Sequence, residues 1–423
     1  MCEPKILIIS NDCLSLSNSN GRTLRNFLVG WSKDKLAQFA LRSNDPDWDV
    51  CANYFCVSDQ QALRAFLGRG YGGGPIMPLQ DKRANAPTGK KTERTALTML
   101  LRELVWNSRR WTKNGFWRWV EDFAPQLVLL QAGDCGFMFR LAEDLARKYN
   151  IPLVIYNSEG YYFKKFDYFQ GRGLAHWCYP VFHKIFSRQF ERTVHHAACS
   201  VYACKPLQDD YDAALGLPSH TMYTATEVKP EAGQKNPVFT TSYLGNLGVG
   251  RHQPLIEIAN ALQSISNELY LDVYGKIPND AVQAVFDACP GIRYKGFVSY
   301  EQVVEIMYTS DLLVHAENFS DFYREDLKYA FSTKLADSLA CGTCFLVYAP
   351  EEMACARYLR DNEVAWVVSN GQALTEVLTK LVNDPVAREQ YLVKASQVIS
   401  RNHLARKNSN EFQKILKTAV YGE

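Results

Sequence analysis

The sequence has no apolar run approaching the roughly 18 residues that a helix needs to cross a bilayer. Its opening, MCEPKILIIS, lacks the basic stretch and apolar core of a secretory leader. Charge imbalance is also missing: 47 Lys and Arg stand against 45 Asp and Glu, a net +2, so no global field draws nucleic acid. There is no low-complexity tract, and 47% hydrophobic with 22% charged residues excludes a disordered chain. Cysteines are sparse for a disulfide scaffold: 12 residues, about 3% of the chain. Most lie in apolar runs such as ACSVYAC and WDVCANYFC, which reads as buried free thiols. No G-x-G-x-x-G follows a predicted strand, which argues against a dehydrogenase. The expected setting is a reducing cytoplasm.

What is present is alternation. At 423 residues the chain is too long for one ordinary core, which predicts two domains. In the first half, short apolar runs (KILIIS, WDVCANYFC, LVLLQAG, PLVIYNSEG, ACSVYAC) alternate with amphipathic segments such as FMFRLAEDLARKYN. Such alternation predicts parallel sheets covered by helices on both faces. The polar stretch TEVKPEAGQKNP, residues 226–237, breaks the series and marks a boundary. A second series follows, with VFTTSYLGN, LYLDVYG, IRYKGF, DLLVHA, CFLVYA and VAWVV as its strands. The expectation is an α/β chain of two Rossmann-like, doubly wound domains facing across a cleft: 1–230, 231–400, and a helix within 401–423 that returns to the first domain. Ligands in such sheets sit beyond the carboxyl ends of the strands.

At those ends the second half carries a phosphate grip. DLLVHAENF runs from a buried strand into His315, Glu317 and Asn318. FSTKLADSLACG opens a helix with Ser332 or Thr333 as N-cap, Lys334 beside it and Asp337 one turn later. Free helix N–H groups, hydroxyls and a lysine suit a diphosphate, and a nearby carboxylate suits a ribose diol. The plainer reading of the same residues is an ordinary cap and a solvated aspartate. Two further polar turns point the same way: YLGNLGVGRH with Arg251, and VYGKIP with Lys276.

The order of SYLGNLGVGRHQPLIEIANAL, LDVYG, IRYKGFVSYEQVVEIMYTSDLLVHAENF, FSTKLADSLACGT and LVYAPEEMACARYLRDNEVAWVV resembles the donor-binding domain of family 4 glycosyltransferases of the GT-B fold. More narrowly it is similar to bacterial surface-polysaccharide members with a HAENF…STK type of signature. The resemblance spans nearly all of 238–370 and is looser in the first half, through GRTLRNFLVGWSKDKLAQF. It implies that Gly245, Gly248 and Arg251 meet the donor diphosphate. The lysine that usually follows the arginine is replaced by His252, Gln253 and Pro254, leaving Lys334 or Lys276 as substitutes. The family's second glutamate falls on Asp337, which would hold the ribose. Its first falls on Tyr329, so Glu317 is the expected stand-in against the donor sugar. Cys341 and Cys344 lie where the family reads A-C-G-T-P, Cys344 replacing the proline at the start of a buried strand.

The resemblance also implies transfer with retention of anomeric configuration and no cofactor or active-site metal, and with it the expectation that the sequence lacks an Asp-x-Asp metal motif. Arg251, Lys334 and Glu317 are the expected catalytic residues, with Ser332 and Thr333 among the donor contacts. On the acceptor side, Gly21 and Arg22 close the first strand-end loop, and Asp134, Asn157 and Glu159 follow later strands. The expected partners are a nucleotide-sugar donor and a glycan or polyprenyl-linked acceptor, with no nucleic acid. Residues 82–119 hold ten Lys or Arg against two Glu, with four Trp. That composition fits either an anionic membrane surface or helices that bury their Trp and Leu faces. A peripheral position at the inner membrane face is the corresponding expectation of place. Competing readings are an epimerase on the same fold, for which no acid–base pair stands out, and a nucleotide-sugar-binding subunit without turnover.

Overall fold

The computed structural model describes residues 3–43, 45–77, 94–231 and 238–422. It divides into two compact units, 1–223 with 406–423, and 224–405.

In the first unit, eight strands form one sheet: β1 (Ile6–Asp12), β2 (Leu36–Arg42), β3 (Asn53–Cys56), β4 (Gly74–Ile76), β5 (Leu127–Gln131), β6 (Leu153–Asn157), β7 (Cys199–Tyr202) and β8 (Ser219–Thr221). Their order is β4-β3-β2-β1-β5-β6-β7-β8, parallel except for β4 against β3. β1 lies between β2 and β5 with almost every residue buried, which explains its unbroken apolar sequence. β2 was not among the expected strands, because Gln38 interrupts its apolar run. That side chain is fully buried and satisfied, accepting from the Leu14 amide (2.8 Å) and donating to Ser10 Oγ (2.6 Å).

In the second unit, β9 (Thr241–Leu244), β10 (Leu271–Tyr274), β11 (Ile292–Gly296), β12 (Leu312–Ala316), β13 (Cys344–Tyr348) and β14 (Trp366–Val368) make an all-parallel sheet. Its order is β11-β10-β9-β12-β13-β14. Every one coincides with an expected run.

The chain crosses from one unit to the other near Thr224 and again near Ala405. Thr226 ties these passages together, donating its amide to the His403 carbonyl (2.9 Å) and accepting from the Ala405 amide at its own carbonyl (3.2 Å). The helical tract expected over 387–416 is three helices, Pro385–Glu389, Leu392–Asn402 and Ala405–Tyr421, broken at Tyr391 and at the buried His403. The last of them joins the first unit's core. Phe412 packs on Phe27 with ring centroids 5.0 Å apart, and Ser409 Oγ donates to the Val29 carbonyl (2.7 Å).

Two of the tryptophans in residues 94–119 point inward. Trp106 stacks on Phe137 (4.8 Å) and Trp111 on Phe39 (5.1 Å), and both indoles are buried. Arg102 pairs with Asp59 and Arg109 with Asp144. The described part of the basic, Trp-rich segment is therefore packed helices; residues 82–93 lie outside the described residues. The cysteines described are free thiols, and most are buried. Cys341 Sγ donates to the Ser338 carbonyl (3.2 Å), and Cys344 opens β13 in the core.

Candidate functional site

The strand order of the second unit reverses between β9 and β12, and in a doubly wound sheet that is where a ligand crevice opens. The loop after β9, Gly245 to Arg251, lies beside the strand end His315–Asn318. Close backbone approach shapes the loop's base. A Cβ on Gly275, which follows β10, would sit 2.1 Å from the Gly245 carbonyl oxygen, so only glycine fits there. Farther along, Val249 (φ 52°) and Gly250 (φ 71°) both adopt the left-handed conformation, which is costly for a β-branched residue. The turn delivers Arg251 to the start of the helix His252–Ile265.

Asn318 holds that turn. Its Nδ2 donates to the Gly250 carbonyl (2.8 Å) and to Gln253 Oε1 (2.7 Å). Glu317 holds the arginine: Arg251 Nη2 and Nε donate to its two oxygens at 2.7 and 3.0 Å. His315 Nε2 lies 3.0 Å from Glu317 Oε1, and because a carboxylate only accepts, that nitrogen carries a proton. Burial alone would raise the Glu317 carboxyl, but the Arg251 guanidinium and His315 outweigh it and hold the group down at about 2. Arg251 is thus held in one orientation, with its charge paired, by the residue expected to touch the donor sugar.

The other expected residues separate into groups. Lys334 lines a pocket with His315, Leu244, Ser242 and Ser338, against the faces of β9 and β12. Ser332 caps the helix Thr333–Ala340, its Oγ accepting from the Lys334 amide (3.3 Å). Asp337 points elsewhere. It is fully buried and accepts from Thr226 Oγ1 at 2.6 Å, so in this arrangement its carboxylate is closed to a ribose. Tyr329 is also buried, its hydroxyl accepting from Lys328 Nζ (3.0 Å). Lys276 is exposed. The Gly245 amide is spent on the Tyr274 carbonyl (3.0 Å) and the Gly248 amide on Asn246 Oδ1 (2.9 Å). Those of Val249 and Gly250 donate to no partner among the described residues.

Sequence reasoning passed over Ser338 and Ser242. The signal for Ser338 was present: it lies four residues after Lys334, on the same helical face. Ser242 sits inside a buried strand, where nothing in the spacing marks it.

In the first unit the order reverses between β1 and β5. Gly21 lies in the first turn of the helix Ser19–Leu28, where a Cβ would meet the Cys13 carbonyl oxygen at 2.2 Å, and its amide donates to the N-cap Asn18 (2.7 Å). Arg22, half-buried, follows it. After β5, Asp134 is paired with Arg94 and accepts from Tyr168 (2.9 Å). After β6, Glu159 stands 4.0 Å from Lys164 Nζ, which lies over the rings of Tyr161 and Tyr168. Arg94, Lys164 and Tyr168 were not foreseen; they come from a helix-leading strand of chain and an aromatic loop with no motif. Contrary to the expected lack of an Asp-x-Asp motif, Asp45-Pro-Asp47-Trp-Asp49 carries that spacing in this unit, but Asp47 is committed to Arg25 (2.6 Å) and to the Asp49 amide (3.0 Å). Among the described residues no group of three or more His, Cys, Asp or Glu is arranged to hold a metal ion.

Residues 251–414 match the family model described as "Glycosyl transferase-like". No curated protein matches the sequence significantly. Among solved structures, the sucrose-phosphate synthase tll1590 of Thermosynechococcus elongatus is similar, with a TM-score of 0.63 at 10% identity, over 99% of this chain and 100% of that one. Anabaena Alr3699/HepE, solved in complex with UDP, gives 0.62 at 10% identity over 98% and 100%. A glycosyltransferase from Rickettsia africae ESF-5 gives 0.59 at 9% over 99% and 100%. Identities this low speak to the fold alone. The chain has the two-domain α/β GT-B fold, with a glycosyl transferase-like region over residues 251–414.

Proposed function

We propose that this protein is a retaining, metal-independent glycosyltransferase that moves a hexose-type sugar from a nucleotide-diphosphate donor to a glycan or polyprenyl-linked acceptor, in bacterial surface-polysaccharide synthesis at the cytoplasmic side of a membrane. The observation that carries the reading is the convergence at one switch point of the β9 loop, the locked Arg251 and the side chains of Lys334, His315 and Ser338, which line a narrow crevice beside it. Alr3699/HepE, which has the same fold, was solved with UDP and with UDP-glucose, which supports a nucleotide-sugar donor.

In this reading the chain's work is electrostatic. As the bond from the anomeric carbon to the diphosphate oxygen breaks, negative charge accumulates on the departing phosphate. Arg251, Lys334 and the Thr333 amide at the start of its helix neutralise it without reorganising. Glu317 and His315 hold the guanidinium in one orientation. The acceptor hydroxyl attacks from the face that the leaving group vacates and gives its proton to the departing diphosphate oxygen, so no protein nucleophile is needed. Asp134, Glu159, Gly21 and Arg22 are assigned to the acceptor side.

The neutralisation of Arg251 by Glu317 favours one second reading, a nucleotide-sugar-binding subunit without turnover. Thermal shift against UDP, GDP, ADP, CMP and TDP, with EDTA and then magnesium, tests the site. A rise of several degrees with one diphosphate, unchanged by EDTA and reduced in Lys334→Ala, supports it. Turnover of the matching nucleotide sugar, with the product anomer read by NMR, separates transferase from binding subunit. No shift with any nucleotide rejects both.

A further inference from the structure

We propose that the first unit carries a lipid-docking face, formed by the outward sides of the helices Ala96–Asn107, Leu174–Trp177 and Tyr179–Val194, and that its occupant is an anionic bilayer surface. The observation is an apolar cluster on the wrong side of three neighbouring helices. Helix 96–107 packs beside both of the others. It buries Met99, Glu103 and Trp106 and turns Leu101 and Leu104 outward, Leu104 being 59% exposed. Helix 179–194 buries Phe182, Phe186 and Phe190 and leaves Val181 and Ile185 exposed. Between them Leu174 is 69% and Trp177 78% exposed. Outward apolar side chains drawn from three adjacent elements mark an interaction surface, whereas single exposed residues do not.

Charge selects the occupant. The outward face of helix 179–194 interleaves Lys184 and Arg188 with Val181 and Ile185, and Lys165 and Arg172 are exposed nearby, while Arg192 is paired with Glu143 (2.9 Å). No exposed residue between 164 and 192 is acidic. The two carboxylates in that stretch are turned inward: Asp167 accepts from the amides of Phe169 and Gly171 (both 3.1 Å), and Glu191 accepts from the Tyr162 hydroxyl (2.6 Å). A face that is apolar and cationic, with a tryptophan at its crest, matches the boundary between acyl chains and anionic headgroups. A second copy of the same face would set these cations against one another. Among the described residues no helix is long and apolar enough to span a membrane, so the contact is a peripheral one.

This face shares the helix Ala96–Asn107 with the basic segment that composition points to, but not that segment's tryptophans. The basic segment's Trp106 and Trp111 are inside the fold, and the outermost indole is Trp177, which belongs to no motif. The inference does not rest on glycosyl transfer, because binding is read without turnover.

The test is sedimentation of the full chain with phosphatidylcholine vesicles, with and without phosphatidylglycerol. The protein should partition onto vesicles containing phosphatidylglycerol and be released by added salt. Trp177→Ser with Ile185→Ser should lower the partition about tenfold or more. Lys184→Gln with Arg188→Gln should lower it roughly fivefold per charge, on the anionic vesicles only. Phe297→Ser, equally exposed but in the second unit, should change nothing. These positions are all on the surface, and unchanged melting temperatures verify that the variants are folded. A protein that stays in the supernatant at low salt, or a Trp177→Ser, Ile185→Ser variant that partitions like the parent, overturns the proposal. A dimer by light scattering that this variant converts to monomer also overturns it, in favour of a self-interface.

Discussion

Arg251 and Glu317 form a bidentate ion pair in which the carboxylate side chain is 1% exposed and the arginine 11%. A pair this deep offsets its own desolvation only while both members remain. Glu317→Ala, which strands a buried guanidinium, should cost about 3–5 kcal/mol of unfolding free energy, whereas replacing both partners with Met and Leu should cost far less. Urea denaturation measures both. The double variant should also lose its nucleotide-dependent thermal shift, while Cys344→Ser keeps it.

The β9 loop depends on its contact with the residue after β10. Gly275→Ala places a methyl group against the Gly245 carbonyl and should cost about 1–3 kcal/mol, with a weakened nucleotide response. Gly296→Ala is the comparison. That glycine also has a positive φ, 82°, but nothing lies within 4 Å of its would-be Cβ, so only the backbone penalty of about 1–2 kcal/mol applies and nucleotide binding is kept.

Asp337 and Thr226 are 111 residues apart and joined by one buried hydrogen bond. Asp337→Ala and Thr226→Val should each lower stability by about 1–3 kcal/mol, and the double variant should fall short of their sum. Full additivity in equilibrium unfolding would show that the bond contributes nothing. If Asp337→Ala leaves stability intact yet removes nucleotide binding, the carboxylate faces the ligand instead.

His403 sets a pH dependence. Its Nδ1 meets the Thr224 carbonyl and its Nε2 the Tyr358 hydroxyl, both at 2.7 Å. Burial pushes the imidazole down from 6.5 to about 4, the Thr224 contact opposing only in part. The unfolded chain therefore binds the extra proton first as pH falls. Stability contributed by the neutral ring is complete above about 6.5 and is lost between there and 4. The loss should reach at most about 3 kcal/mol. Melting temperatures across that window should fall in the parent and stay flatter in His403→Gln. The depressed Glu317 carboxyl acts lower, its contribution disappearing between about 4.5 and 2.

The second unit was more legible than the first for a physical reason. The inner strands β12 and β13, LLVHA and CFLVY, are buried on both faces and so read as apolar runs, while the edge strand β11 (IRYKG) is set off by the glycine that ends it and the polar loops around it. β2 escaped because a buried glutamine, once satisfied, looks from sequence like a surface residue. Which strand ends carry polar groups was also readable, since Arg251, Glu317 and Lys334 all follow or face them. Where those groups point was not. The bond between Asp337 and Thr226, and the capture of Arg251 by Glu317 across 66 positions, are tertiary facts that no local spacing encodes.

The helix 405–421, whose Phe412 and Leu416 complete the core built around Phe27 and Leu24, bears on how the molecule is made. Residues 224–405 are contiguous and leave the ribosome as one block, whereas the first unit waits for its final helix. The later block can therefore finish folding before the earlier one. Until synthesis reaches residues 412–416, the nascent first unit keeps an apolar seam open, a ready binding site for a chaperone and the point at which premature release would aggregate the chain.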